Sequence, residues 1–523
     1  MDGNVSIPAA LTTIRPELLS LSAEQLMALG PWVLALGGAL VLMLAAAAMK
    51  RWKGVVPFFF VLIAGATAWS ATRLVGGGEV LLFNRMMVVD RLTLVMTVLF
   101  SVAGLVSALS SMRYLDREGL QHPEYYILML FSMIGMMSMV SALDLIVIFV
   151  ALELMSISVY VLVGFRRADR RANEAAVKYF VLGGAASAVY LYGSALLYGA
   201  TGSIQIQDIL SWVQGAGQQP SLLFVLGSVL VLFGFLFKVA SFPFHMWMPD
   251  VYEGAPAPIT GFMTTGIKAA SFATLIRVVS GVGYGAGLVE SVQRHLHDLL
   301  WISAALTMVV GNVVALTQIQ LKRMLAYSSI AHTGYLLVGI LTAPFSADGY
   351  GPVVMYLVTY TVMNLGAFAV LTALAKRADS GLNLHDLAGL SRKHPFLAFA
   401  MAAFIFSMAG IPPTAGFAAK YLVFSNAVQA GEIWLTVIAV LCSAISVYYY
   451  LRVLVFMYMR EPAEAGVGIV QSKRLLAALL VMLVLTIELG VFPAPLMRLA
   501  RTLARSTPAR VVQVGMTEVE AQK

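Results

Sequence analysis

Seven ionisable side chains stand in or beside long apolar stretches of this sequence: Glu153, Lys178, Lys238, His245, Lys268, His332 and Lys420. A charge inside a bilayer costs ~2.5–3.5 kcal/mol on insertion scales, so such residues are rare and are read first as functional. Carboxylate, ammonium and imidazole share one chemistry, the reversible loading of a proton. Burial disfavours the ammonium form of a lysine and a nearby carboxylate favours it. A lysine held between those effects changes charge when the influence of the carboxylate changes. On this reasoning Glu153 controls Lys238, Lys268 carries the proton inward, and Lys420 passes it to the far side. His245, two residues past Pro243, would join water to the buried lysines, and His332, among Ser328, Ser329 and Thr333, would relay in the second half.

Plainer readings stay open for each. Lys178 lies about one turn inside its segment and could snorkel to the headgroups. Glu153 and Lys238 could form a static ion pair that holds helices together, His245 could sit at the membrane surface, and His332 could be a hydrogen-bonded core residue.

Helices crossing a membrane must position these groups. The chain has 523 residues, of which 60% are hydrophobic and only 11% charged, with a mean hydropathy of +0.86. Soluble domains hold about 25% charged residues, so this chain reads as an all-α polytopic membrane protein. The 28 methionines fit packed helices. One cysteine, Cys442, excludes a disulfide frame, a CxxC metal site and cysteine ligation of a cluster. No signal peptide is evident at the start.

A span needs ~20 mostly apolar residues. There are about fourteen candidates: 31–49, 55–75, 88–110, 124–141, 143–164, 174–199, 221–242, 256–280, 298–318, 324–342, 352–375, 396–428, 432–458 and 474–494. The first thirty residues and the tail after about 498 are expected to be peripheral. Lys268, some twelve residues into the eighth span, falls near the membrane centre at ~1.5 Å per residue. Pro243 in PFHMWMPDVYEGAPAPITG and the pair Pro412–Pro413 free backbone carbonyls. Such breaks are tolerated at depth only where protein or water satisfies them, and a polar cavity beside each lysine is expected.

The net charge of +8 is not spread as a nucleic-acid surface would be. It clusters in short loops at Lys50, Arg51 and Lys53; Arg166, Arg167, Arg170 and Arg171; Lys322 and Arg323; Lys376 and Arg377; Arg392 and Lys393. These come after odd-numbered spans, which puts those loops in the cytoplasm and both termini outside. The tail, with Arg498, Arg501, Arg505 and Arg510, is basic against that rule and is expected on the membrane surface.

An internal repeat accompanies the spans. ALELMSISVYVLVGF (151–165) aligns with AYSSIAHTGYLLVGI (326–340), and FLFKVASFP (235–243) with FIFSMAGIP (404–412). The step is five spans, an odd number, so the second copy is inverted, as in many transporters. Four segments result: 1–123 with spans one to three, bundles at 124–280 and 298–458, and 474–523 with the last span and tail.

PFHMWMPDVYEGAPAPITGF with Lys268 downstream, ALELMSISVYVLVGF, NEAAVKYFVLGGAASAVYLYG and LAYSSIAHTGYLLVG resemble the antiporter-like membrane subunits of proton-pumping NADH:quinone oxidoreductase, respiratory complex I. The resemblance spans roughly residues 80 to 460. It implies fourteen transmembrane helices, two inverted five-helix bundles and a central hydrophilic axis. It also implies a proton relay through Glu153, Lys178, Lys238, His245, Lys268 and Lys420. It places flavin, iron–sulfur clusters and the quinone site in partner subunits, with no cofactor in this chain. Implied partners are the other membrane subunits, including sister antiporter-like ones, and the lipid bilayer of a bacterial inner membrane. A multisubunit cation/proton antiporter or a related membrane-bound hydrogenase complex is the alternative. A cytochrome b type of protein needs paired haem-ligating histidines, for which only His332 and His245 offer themselves. A purely structural anchor leaves the buried charges unexplained.

Overall fold

The computed structural model describes residues 21–48, 55–215, 220–285, 288–376, 382–462, 469–470 and 472–504. Among them, twelve helices are long and apolar enough to cross a membrane. Six come first: α1 (Gly30–Ala48), α2 (Val56–Leu74), α3 (Arg91–Glu118), α4 (Pro123–Ser141), α5 (Leu145–Val163) and α6 (Arg170–Thr201). The seventh predicted span is a shorter helix, α7 (Leu222–Lys238), and a second short helix, α8 (Trp247–Gly254), lies beyond its predicted end. Then come α9 (Ala257–Gly281), α10 (Glu290–Thr317), α11 (Leu321–Thr342) and α12 (Gly351–Ala373). The twelfth predicted span is split, into α13 (Pro395–Ala409) and α14 (Ala415–Gln429). Helices α15 (Ile433–Met459), α16 (Lys473–Val491) and α17 (Ala494–Ala504) close the order.

Ordinary helix signals set the boundaries. Asp144 divides α4 from α5 because its carboxylate accepts from Ile146 N and Val147 N at 2.8 and 3.1 Å, an N-cap. Asp90 caps α3 and Asp169 caps α6 in the same way. Pro57, Pro123, Pro352 and Pro395 occupy first turns, where the missing N–H costs nothing.

Burial is graded inward. The hydrophobic windows of α9, α11 and α12 are 100%, 94% and 94% buried, whereas those of α6, α15 and α16 are 33% buried. The helices carrying Lys268 and His332 are therefore the interior ones. The exposed apolar faces of the outer helices are the surface a bilayer or a neighbouring chain would cover.

The motif after Pro243 departs from the sequence-based expectation of a loop, because Trp247–Gly254 is helical. Pro249 falls in the first turn of α8, where it displaces no helical hydrogen bond. The break itself is narrow, and Ala240 adopts a left-handed φ of 56° at the end of α7. Gly410, with φ 82°, ends α13 at the other break.

A β-hairpin, Val80–Leu82 with Met87–Val89, precedes α3 and takes up the first residues of the third predicted span. Phe83, Asn84 and Arg85 all have positive φ and turn the chain. Lys268 directly follows a π-helical turn, Met263–Ile267, a widening of the helix that often marks function.

One backbone bridge occurs twice. Leu145 N donates to Ile204 O and Ile206 N to Leu143 O; Leu321 N donates to Leu382 O and Leu384 N to Ile319 O. The shift between the two bridges is about that between the matched sequence stretches. It supports the repeat reading on main-chain geometry, independently of side-chain likeness.

The basic loops are tied to one another. Arg117 donates to Ala375 O at 2.8 Å and Lys376 O at 3.2 Å, and Arg452 donates to Leu316 O and Gln318 O. Arg501 of α17 instead pairs with Asp348 at 2.9 Å, at the other end of the helices. Lys50, Arg51, Lys53, Arg377, Arg505, Arg510, the first twenty residues and the end of the tail lie outside the described residues.

Candidate proton relay

Lys238 ends α7 and is 3% exposed. Its Nζ donates to Ser156 Oγ at 2.9 Å and lies 3.4 Å from Tyr160 OH, both on α5. Glu153 stands one turn before Ser156 on that helix. No ion pair within 4.0 Å joins the two, and Glu153 Oε1 is buried without a hydrogen-bond partner. The static ion pair is therefore not what the structure contains. Ser156, not Glu153, takes the hydrogen bond from Lys238.

Lys268, 2% exposed, donates to the carbonyl and the hydroxyl of Ser329, both at 2.6 Å. Tyr360 OH donates to the same Ser329 Oγ at 2.7 Å, and Thr264 Oγ1 lies 3.1 Å from Tyr360 OH. The ammonium also lies 5.2 Å from the Tyr360 ring centroid, a cation–π contact.

His332 is one turn beyond Ser328 and Ser329 on α11. Its Nδ1 is 2.6 Å from Tyr356 OH and its Nε2 3.2 Å from Tyr450 OH, and Tyr450 OH in turn bonds Ser328 Oγ. The ring meets Tyr360 at 5.2 Å and Tyr335 at 5.6 Å between centroids. Lys420, 4% exposed, lies 5.1 Å from the other side of this aromatic group, the Tyr335 ring. It donates to Ser443 Oγ at 3.0 Å and to Ala409 O at 3.2 Å.

Both terminal lysines meet the C-terminal end of a half-helix: Lys238 belongs to the last turn of α7, and Lys420 reaches the last carbonyl of α13. That end carries partial negative charge, which favours a cation. Protein groups satisfy the first break. Thr333 Oγ1 donates to Val239 O at 2.8 Å, Trp247 Nε1 to Phe237 O at 3.1 Å, and Phe242 N to Thr307 Oγ1 at 2.8 Å.

Two predicted members stand apart. His245 stacks on Phe242, and its Nδ1 is buried without a partner; it bonds neither lysine. Lys178 is 41% exposed and pairs with Glu174 at 2.6 Å and Asp250 at 2.9 Å. Asp250 also pairs with Arg323, which pairs with Glu253. Lys178 thus belongs to an ionic cluster around a polar cavity of about 250 Å³ at the end of α8.

Sequence reasoning misses the hydroxyl partners Ser156, Tyr160, Tyr356, Tyr360, Tyr450 and Ser443. Ser156 and Tyr160 come after Glu153 at helical spacing, a signal that could have been read. It misses Arg277 too. That side chain is 1% exposed, pairs with Asp90 at 2.7 Å, and donates to Val140 O at 2.6 Å and Thr93 Oγ1 at 3.0 Å.

A polytopic helical fold with two broken helices and a row of buried lysines defines an antiporter-like membrane protein. Comparison with known proteins agrees. The NADH:quinone oxidoreductase/Mrp antiporter transmembrane family matches residues 142–446, and the chain belongs to that family. It is 46% identical over 413 residues to NADH-quinone oxidoreductase subunit N of Trichlorobacter lovleyi, covering 79% of this chain and 82% of that one. A chain of respiratory complex I from Thermus thermophilus superposes with a TM-score of 0.76 at 34% identity, covering 90% of this chain and 99% of that chain. A chain of the Mrp complex from Dietzia sp. shares the fold, with a TM-score of 0.81 at 21% identity over 93% of this chain and 98% of its own.

Proposed function

We propose that this chain is a proton-translocating membrane subunit of a bacterial NADH:quinone oxidoreductase in the plasma membrane. Electron transfer occurs in partner chains, which hold the flavin, the iron–sulfur clusters and the quinone; this chain moves protons. The observation that carries the reading is the row Lys238, Lys268, His332 and Lys420. Each is at most 4% exposed and is held by hydroxyls, carbonyls and rings, with no carboxylate within 4.0 Å among the described residues. Structural lysines are kept charged by a paired carboxylate. A lysine with no fixed counter-ion is suited to gain and lose a proton.

In this mechanism Glu153 sets the charge of Lys238 through space, one turn away along α5 from the Ser156 that accepts from the lysine. Lys268 exchanges its proton with the Ser329–Tyr360 hydroxyls, the His332 cluster takes it on, and Lys420 releases it at the second break. In this structure the clusters touch through rings without a continuous hydrogen-bond chain, so transfer between them requires water or side-chain movement. The Lys178 cluster lies beside Arg171 and Arg323, on the face of the basic loops, which we assign to the cytoplasm.

The test is Lys238→Ala in the assembled complex, with proton pumping in sealed vesicles measured beside NADH:quinone turnover. Pumping is expected to collapse with assembly intact and turnover slowed. Normal pumping and turnover would overturn the assignment. In a multisubunit cation/proton antiporter, the alternative the shared fold allows, the same variant would block ion-driven exchange, and no redox subunits would co-purify.

A further inference from the structure

Gly183 of α6 lies against the Lys238 end of the relay. It is buried inside a helix, where glycine is less stable than alanine, so some gain must offset it. The gain is space. A Cβ on Gly183 would lie 2.1 Å from Tyr160 OH and 2.9 Å from Tyr160 Cζ. Gly184, the next residue, is exposed, and a Cβ there would meet nothing within 4 Å beyond its own helix backbone. The room at position 183 is therefore room for the tyrosine hydroxyl of α5. The Tyr160 ring is held in place. Tyr179 meets it edge-on at 4.7 Å and Phe180 at 5.8 Å between centroids. Tyr179 in turn stacks on Trp247 at 4.5 Å, and Trp247 Nε1 donates to Phe237 O in the last turn of α7.

Lys238 Nζ stands 3.4 Å from that hydroxyl. An ammonium group needs acceptors, whereas the amine left after it loses a proton needs a donor for its lone pair. Ser156 Oγ accepts from Lys238 at 2.9 Å, but its own proton is committed to Leu152 O at 2.6 Å. The Tyr160 hydroxyl serves both states. It accepts from the ammonium and, by turning its O–H, donates to the amine. A buried amine without a donor is destabilised. The second half of the molecule does not copy this contact. Tyr335, matched to Tyr160 in sequence, sets its ring 5.1 Å from Lys420 Nζ, and its hydroxyl accepts from Asn312 at 3.2 Å. We infer that Tyr160 is a further residue of proton transfer, the donor that stabilises deprotonated Lys238, and that Gly183 is its positioning residue. The inference rests on the proposed function, since it concerns a lysine that gives up its proton.

The test compares Tyr160→Phe, Gly183→Ala, their double variant and Gly184→Ala in the assembled complex. Proton pumping in sealed vesicles is measured across pH, beside NADH:quinone turnover. Tyr160→Phe removes the hydroxyl and Gly183→Ala displaces it. Both are expected to slow pumping severalfold and to displace its pH profile to the same side. Glu153 of α5 and Tyr179 of α6, the other ionisable side chains of those helices at this site, stay in place in every variant. The double variant is expected to pump no worse than the poorer single, because both changes remove one contact. Gly184→Ala is expected to keep the parent rate and profile. If Gly183→Ala does not assemble, the double variant, which lacks the oxygen in closest conflict, is expected to do so. Failure there too would make Gly183 a packing residue and overturn its positioning role. Parent-like pumping with an unmoved pH profile in Tyr160→Phe would overturn the donor role. Beside a Lys238→Ala variant that has lost pumping, that outcome strikes this inference alone, whereas normal pumping by Lys238→Ala strikes the proposed function itself.

Discussion

At the residue scale, the groups that hold the proton differ from the groups that pass it. Lys268 gives two hydrogen bonds to Ser329, one to the carbonyl and one to the hydroxyl. Ser329→Ala removes the hydroxyl, and with it the acceptor of Tyr360, while the carbonyl remains. A hydrogen bond to a charged group contributes about 1.5–3 kcal/mol, and the retained carbonyl keeps part of it, so pumping is expected to slow about three- to tenfold. Lys268→Ala removes the carrier and is expected to abolish pumping. Vesicle pumping rates at matched assembly separate the two, and equal loss in both would mean that Ser329 itself is indispensable. The lysines are legible in the sequence because a charge in an apolar run stands out. Their partners are not, because Ser, Thr and Tyr are ordinary in apolar helices. Lys268 and Ser329 meet only when α9 packs beside α11. His245 and Lys178 mislead for the opposite reason: motif position puts them close to the row, and side-chain direction takes them away from it.

At the element scale, a broken helix exposes carbonyls that something must satisfy. Thr333 of α11 donates to Val239 O, past the end of α7, and so ties the His332 helix to the Lys238 helix. Thr333→Val keeps the shape and leaves that buried carbonyl without its side-chain donor, at a cost of about 1–3 kcal/mol. The assembled protein in detergent is expected to unfold at lower temperature, and an unchanged transition would mean that another donor takes over. Arg277 makes a stronger tie, joining α9 to α3 and α4 through Asp90, Thr93 and Val140. Arg277→Met leaves Asp90 buried and unpaired, which costs about 3–5 kcal/mol, so assembly is expected to fail. Arg277→Met with Asp90→Leu removes both charges and is expected to restore much of it, measured as the yield of assembled complex; failure of both would assign Arg277 more than a packing role. The prolines announce both breaks in the sequence, yet they leave open whether a loop or a helix comes next. Pro249 reads as a loop residue because its position in a first turn depends on where α8 begins. The hairpin at 80–89 reads partly as a span because strand and helix cannot be told apart in a short apolar run.

At the scale of the whole molecule, the question is whether the buried groups form one conductor or two. The two breaks and the twice-made backbone bridge support a molecule built of two similar halves, each with its own terminal lysine. The legible part of this plan is the recurrence of short sequence stretches. What the sequence cannot carry is how the halves meet, because that depends on α9, α11 and α12, which are buried on every side and have no polar face to reveal their orientation. The structure joins Lys268 of α9 to Ser329 of α11, and brings the Tyr335 ring of α11 over Lys420 of α14. A proton leaving Lys268 therefore meets the second half before it meets any other described group of comparable chemistry. If the row works in series, removing either terminal lysine interrupts the same path. Lys238→Ala combined with Lys420→Ala should then pump no worse than the more damaging single variant, since steps acting as a unit are not additive. Two independent half-channels would instead lose activity additively, and the double variant would fall below both singles by the sum of their losses. Pumping by the three variants in sealed vesicles, each normalised to assembled complex, distinguishes the cases. The contacts through Ser329, His332 and Tyr335 favour the series outcome.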